Sequence, residues 1–198
     1  NIGVVYTGFL RIEGDKKTYI PFREVTQKQG DIHNSLLREN FVTPQAAVVK
    51  RECFEKAGMF DECVPCLADW ELWLRISKYY HFKCIDEPLV IVYSRAPDSL
   101  LANQGALIRG YELILQKHFE DIKKSRRLLA KHYLGIGILL CSNWDFKQGR
   151  KYLIKAVKAH PLNIKALGAA LASLLGQRAY NRAAVSYRKI RDWLSKGQ

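Results

Sequence analysis

The hydrophobic pattern of this chain changes period once, near Phe119, and the charge balance changes at the same point. Over residues 1–118 the apolar residues fall into short runs broken by turn-forming residues, and 15 Lys and Arg face 15 Asp and Glu. From Phe119 onward the apolar spacing is helical throughout, and 17 Lys and Arg face only 4 Asp and Glu, so the whole net charge of +13 lies there. Such a change predicts two regions: a mixed α/β domain over 1–118 and an all-α helical-hairpin region over 119–198. An apolar fraction of 48% is ample for packed cores and excludes a disordered chain. The longest near-apolar stretches, 134–141 and 166–175, fall short of the roughly 20 residues that a membrane-spanning helix needs.

Within the first region, residues 2–12 form a β-rich run, and Glu13-Gly14-Asp15-Lys16 turns it into a second strand over 18–22. Asp31 is placed to start a short helix through Glu39 that buries Ile32, Leu36 and Leu37. Residues 46–49 read as a buried strand, and 52–57 as one or two helical turns stopped by Gly58. A helix is expected over 69–80 with Trp70, Trp73, Leu74 and Tyr80 near one face. Two strands, 82–85 and 89–93, should flank Pro88, ahead of a longer helix over 102–118. The opening Asn1-Ile2-Gly3-Val4-Val5-Tyr6 already reads as core strand, which is the expectation for a fragment.

Five cysteines in no regular framework point to a reducing, cytoplasmic setting. Cys63-Val64-Pro65-Cys66 is a lone CxxC without the second pair that a zinc site requires, so no metal ligands are assigned. After Phe119, helices should break at Asn143, Pro161 and Gly176. A period of about 34 residues places Tyr133, Ile136, Gly137, Leu140, Gly149, Leu153 and Ala156 at packing positions, a pattern that resembles a tetratricopeptide repeat. A weaker second copy uses Leu167, Ala170, Leu174, Ala183, Tyr187 and Ile190; a generic helical hairpin is the plainer alternative.

The densest chemical signal is Gly58-Met59-Phe60-Asp61-Glu62, followed eight residues after Asp61 by Asp69, within Ala68-Asp69-Trp70-Glu71-Leu72-Trp73-Leu74-Arg75. An Asp in the first turn of an apolar helix is often only a helix-start residue. The joint pattern, however, resembles the acceptor-side motif of family-2 inverting glycosyltransferases, whose catalytic domain has the GT-A fold. The resemblance spans roughly residues 2–95; it departs from the family at Ala68, where Glu is frequent, and at Ala96, where many relatives carry His.

That resemblance implies the acceptor-side half of such a domain, with Asp69 as catalytic base. Asp61, Trp70, Thr43 and Gln45 would border the acceptor, Trp70 as an apolar wall, and Arg75 would give structural support through an ion pair. It implies a nucleotide-sugar donor, a glycan or lipid-linked acceptor as in polysaccharide biosynthesis, and a divalent cation (Mn or Mg). The family's Asp-x-Asp metal motif is not in this sequence. A basic, non-catalytic adaptor built on a glycosyltransferase remnant is the competing expectation. Lys147, Arg150, Lys151, Lys155 and Lys158 suggest docking on an anionic membrane surface at the inner face, or on an acidic protein. No nucleic-acid motif accompanies the charge.

Overall fold

A computed structural model of the chain describes residues 1–93, 103–174 and 180. They divide between two compact units, Asn1–Ile122 and Lys123–Gln198. The division comes just after Phe119 because Ile122 is buried with the first unit. Gly176, Ala96, Ala102, Ala183, Tyr187 and Ile190, singled out in the sequence, lie outside the described residues.

The first unit is mixed α/β. Strand β1 (Ile2–Glu13) runs through the middle of its sheet. Along one edge, β2 (Lys16–Ile20) pairs antiparallel with Phe9–Glu13, and β3 (Ala47–Val49) pairs antiparallel with Val4–Tyr6. Along the other edge runs β4 (His81–Tyr93), parallel to β1. Gly14 takes φ 58° in the two-residue connection between β1 and β2, a left-handed value that glycine adopts without strain.

Two strand expectations need correction. β4 is one continuous strand rather than two flanking Pro88, because the register shifts opposite Gly8 and the proline sits in that irregularity. A bulge tolerates a residue with no N–H to donate. β3 is not buried: Val48, opposite Val5, is 76% exposed, and only Ala46 just before the strand is in the core.

Helix α1 (His33–Leu36) is shorter than expected, although Asp31 Oδ1 does accept from His33 N at 3.1 Å and Ile32, Leu36 and Leu37 are buried. A single 3-10 turn (Pro44–Ala46) leads into β3. Helix α2 (Arg51–Ala57) stops at Gly58, whose φ of 83° ends it and whose N–H reaches Phe54 O. Helix α3 (Ala68–Ile76) ends four residues before Tyr80, where Ser77 takes up the last turn through Leu74 O. It is buried on nearly every side: Trp70, Glu71, Leu72, Trp73, Leu74 and Ile76 all lie in the core. Helix α4 (Gln104–Lys117) is capped by the Asn103 side chain, which accepts from Ala106 N, and α5 (Phe119–Ile122) completes the unit.

α3 is anchored by its indoles. Trp70 Nε1 donates to Leu36 O at 2.7 Å and Trp73 Nε1 to Val42 O at 2.9 Å, so both buried donors are satisfied and segment 36–42 is tied to the helix. Trp73 meets Phe82 of β4 edge-on, and Tyr6 of β1 meets Phe41, which joins the helix layer to the sheet.

The second unit contains α6 (Arg126–Ser142), α7 (Phe146–Ala159) and α8 (Ile164–Leu174). Ser125, Asp145 and Asn163 side chains accept from the first-turn N–H groups of the three helices in turn. α6 and α7 meet where Gly137 faces Gly149: a methyl on either glycine would come within 3.1 Å of the other's carbonyl. On Gly149 it would also run into Cys141 Sγ. The second set of expected packing positions is displaced in α8: Leu167 and Leu174 are exposed, and Ala166 and Ser173 are buried instead. Arg150 explains part of this, since its guanidinium donates twice to Ser173 O, at 3.0 and 2.6 Å, and draws the small-residue side of α8 inward.

The two glycines of α6 should therefore respond oppositely to alanine. Gly137→Ala presses a methyl into Leu153 and should destabilise by about 1–3 kcal/mol, the usual range for overpacking. Gly135 has open space around its Cα, so Gly135→Ala should stabilise by up to about 1 kcal/mol through helix propensity alone. Thermal melts followed by circular dichroism read both signs.

Candidate functional site

Asp69 is the second residue of α3, and Leu67, in the left-handed region at φ 67°, swings the chain into the helix. No side chain caps this helix start. The Asp69 carboxylate is half-buried and accepts from Asn40 Nδ2 at 3.0 Å. Asn40 is itself oriented, because its Oδ1 accepts from Val42 N at 3.2 Å, which leaves the amide nitrogen for Asp69. Burial pushes the Asp69 carboxyl above its ordinary value, against partial offset by the Trp70 N–H, the Asn40 amide and its own backbone N–H. The helix N-terminus favours the ionised form, but desolvation outweighs it.

Glu71 is two residues further on, so helical geometry turns its side chain about 200° away from that of Asp69. Its carboxylate is 1% exposed. Arg75 Nε donates to Glu71 Oε1 and Oε2 at 3.0 and 2.9 Å, and Lys117 Nζ to Oε1 at 2.9 Å. His118 Nε2 lies 3.7 Å from Oε1, a neighbour beyond hydrogen-bonding reach. Burial alone would raise this carboxyl; His118, Lys117 and Arg75 together more than reverse that and set it at about 2.

The same cations hold the Gly58–Glu62 turn. Arg75 donates to Ala57 O, the last residue of α2, and to Met59 O at 2.7 Å. Lys117 reaches Asp61 Oδ2 at 2.5 Å, while Asp61 Oδ1 accepts from Cys63 N at 2.8 Å. Lys117 and the Cys63 N–H hold the Asp61 carboxyl below the usual range. Asp61, Glu71, Arg75 and Lys117 thus form one network that fixes the turn around Gly58 against α3 and α4.

The sequence-derived site residues therefore separate. Asp61 and Arg75 are joined through Lys117 and Glu71, with Arg75 in the ion pair expected of it. Trp70 is not an exposed wall: it is 3% exposed, bonded to Leu36 O and edge-on to Tyr111 at 5.7 Å. Thr43 donates to Gln45 within the 3-10 turn, on the segment that begins at Asn40. Asn40, Glu71 and Lys117 were missed. Glu71 had a legible signal in its four-residue spacing to Arg75; the long-range partners had none.

All five cysteines are free, with Cys63 exposed and Cys66 buried. Among the described residues no three His, Cys, Asp or Glu side chains are grouped to hold a metal ion, and no helix is long and apolar enough to cross a membrane. No protein-family model, curated protein or solved structure matches the chain.

Because Glu71 is ionised in the fold far below its ordinary 4.5, it contributes stability that is complete above that pH and is lost as pH falls toward about 2. Glu71→Gln should cost about 3 kcal/mol at neutral pH, the lower end for breaking a buried pair, since Arg75 and Lys117 retain some solvent. Urea denaturation should show the gap between wild type and variant closing as the pH is brought down to that value; a gap of constant size would show that the pairing is not its source.

Proposed function

We propose that the Asn1–Ile122 unit is the acceptor side of an inverting glycosyltransferase, with Asp69 as the base that deprotonates the incoming acceptor hydroxyl. One observation carries this reading. Asp61, Glu71 and Arg75 are accounted for by folding: Arg75 pairs with Glu71 and holds Met59 O, and Lys117 joins Glu71 to Asp61, whereas Asp69 takes no part in that network. It is instead half-buried and held by an oriented amide, and burial raises its proton affinity in spite of that bond. A carboxylate so placed costs stability when ionised and suits proton transfer.

In an inverting displacement the acceptor oxygen attacks the anomeric carbon opposite the leaving nucleotide, and its proton must go to a base as the new bond forms. Asn40 holds Asp69 Oδ2, and in this reading the acceptor hydroxyl gives its proton to the same carboxylate. Acceptor contacts fall to segment 40–45, with Thr43 and Gln45, rather than to the buried Trp70. The departing diphosphate calls for a divalent cation or basic groups, which in this reading belong to a part of the catalytic domain other than these residues. The close Gly137–Gly149 approach supports reading the Lys123–Gln198 unit as tetratricopeptide-like.

The competing reading is a non-catalytic scaffold in which the motif survives only for its fold. The protein containing this chain, assayed with uridine- and guanosine-diphosphate sugars plus Mn²⁺, separates the two. Asp69→Asn should leave donor binding near wild type and lower kcat by about 10² to 10⁴, the usual cost of losing a general base. Near wild-type turnover in that variant would remove Asp69 from the chemistry.

A further inference from the structure

The basic residues of α7 sort into two groups once their contacts are known. Arg150 is committed to Ser173 O, and Lys155 Nζ lies over the rings of Tyr152 and Tyr133, at 5.2 and 5.7 Å from their centroids. Lys147, Lys151 and Lys158 are exposed and have no ion-pair partner among the described residues. With Ile154, which is 50% exposed, they fall within an arc of about 60° on the helix. That arc points opposite to buried Gly149, Leu153 and Ala156, so it faces away from the neighbouring helices. Trp144, 73% exposed, stands at the turn before its first lysine. Asp145 is the only acidic residue between Lys123 and Leu174, and its carboxylate is engaged by Gln148 N.

We propose that this stripe is a docking surface for an anionic lipid bilayer. The charge pattern selects an anionic partner, and the apolar members select its class. Lysine ammonium groups reach lipid phosphates while their stems lie along the interface. Ile154 between them, and Trp144 at their end, have a favourable place just below the headgroups. A nucleic-acid backbone offers no such layer for an isoleucine, and the tyrosines nearby that could stack on bases already carry Lys155. The surface is independent of Asp69 and of any catalytic role.

Co-sedimentation of the whole chain with phosphatidylcholine vesicles, with and without phosphatidylserine, tests it. Binding should require phosphatidylserine and weaken at high salt. Lys147→Gln, Lys151→Gln and Lys158→Gln combined should weaken it about a hundredfold, from roughly fivefold per lysine near an anionic surface. Ile154→Ser leaves the charge unchanged, so it should weaken vesicle binding without altering retention on heparin, and it serves if the triple variant fails to fold. Equal binding to neutral vesicles, no binding to anionic ones, wild-type binding by the triple variant, or heparin outcompeting the vesicles would each overturn the proposal.

Discussion

A carboxylate removed from water must be matched by charge and hydrogen bonds, or the fold that buries it is lost. Glu71 imposes that condition at the centre of the first unit. Arg75 comes from its own helix, one turn later, and Lys117 from the end of α4. Both cations have capacity left over, and both spend it on the loop before α3: Arg75 on the carbonyls of Ala57 and Met59, Lys117 on Asp61. The turn, the central helix and α4 are thus held by a single buried charge. The indoles of Trp70 and Trp73 add the other side, fastening segment 36–42 to the same helix.

This arrangement gives two carboxylates on one short helix opposite fates. Glu71 faces the cations and is kept ionised; Asp69, about 200° around the axis, is partly buried, which favours its protonated form more than the Asn40 amide favours the ionised one. Rigidity and reactivity are therefore supplied by neighbouring residues without competing for the same partners. A base on a helix fixed in this way has little freedom to drift, which is what positioning an acceptor hydroxyl demands.

What could be read from the sequence was what depends on neighbours along the chain. The hairpin at Gly14, the helix stop at Gly58 and the start at Asp31 rest on backbone preferences of a few residues, and Arg75 found its ion pair four residues away. The Gly137–Gly149 contact was legible because two glycines at repeat spacing have few other uses. The misreadings needed knowledge of partners far along the chain. Pro88 looked like a strand break because nothing local announces that Gly8 will absorb the irregularity. Trp70 looked like a ligand wall because an indole serves core and pocket equally well, and only Leu36 O and Tyr111 decide between them. Val48 looked buried because an apolar run does not reveal which sheet face is left open. Asn40 was not singled out, because its bond to Asp69 spans 29 residues of chain.

The division between the two carboxylates is the point on which the account stands, and carboxyl ¹³C titration by NMR of the intact chain measures it directly. The account predicts that Glu71 titrates at about 2, if it titrates before the fold opens, while Asp69 titrates above the ordinary aspartate value of 3.8. Replacing Asn40 with Ala should move only Asp69, and further upward, because a hydrogen bond to its charged form is lost. Two carboxyls titrating together near their ordinary values would contradict the account: the buried network would not be holding Glu71, and Asp69 would be an ordinary residue at the start of a helix.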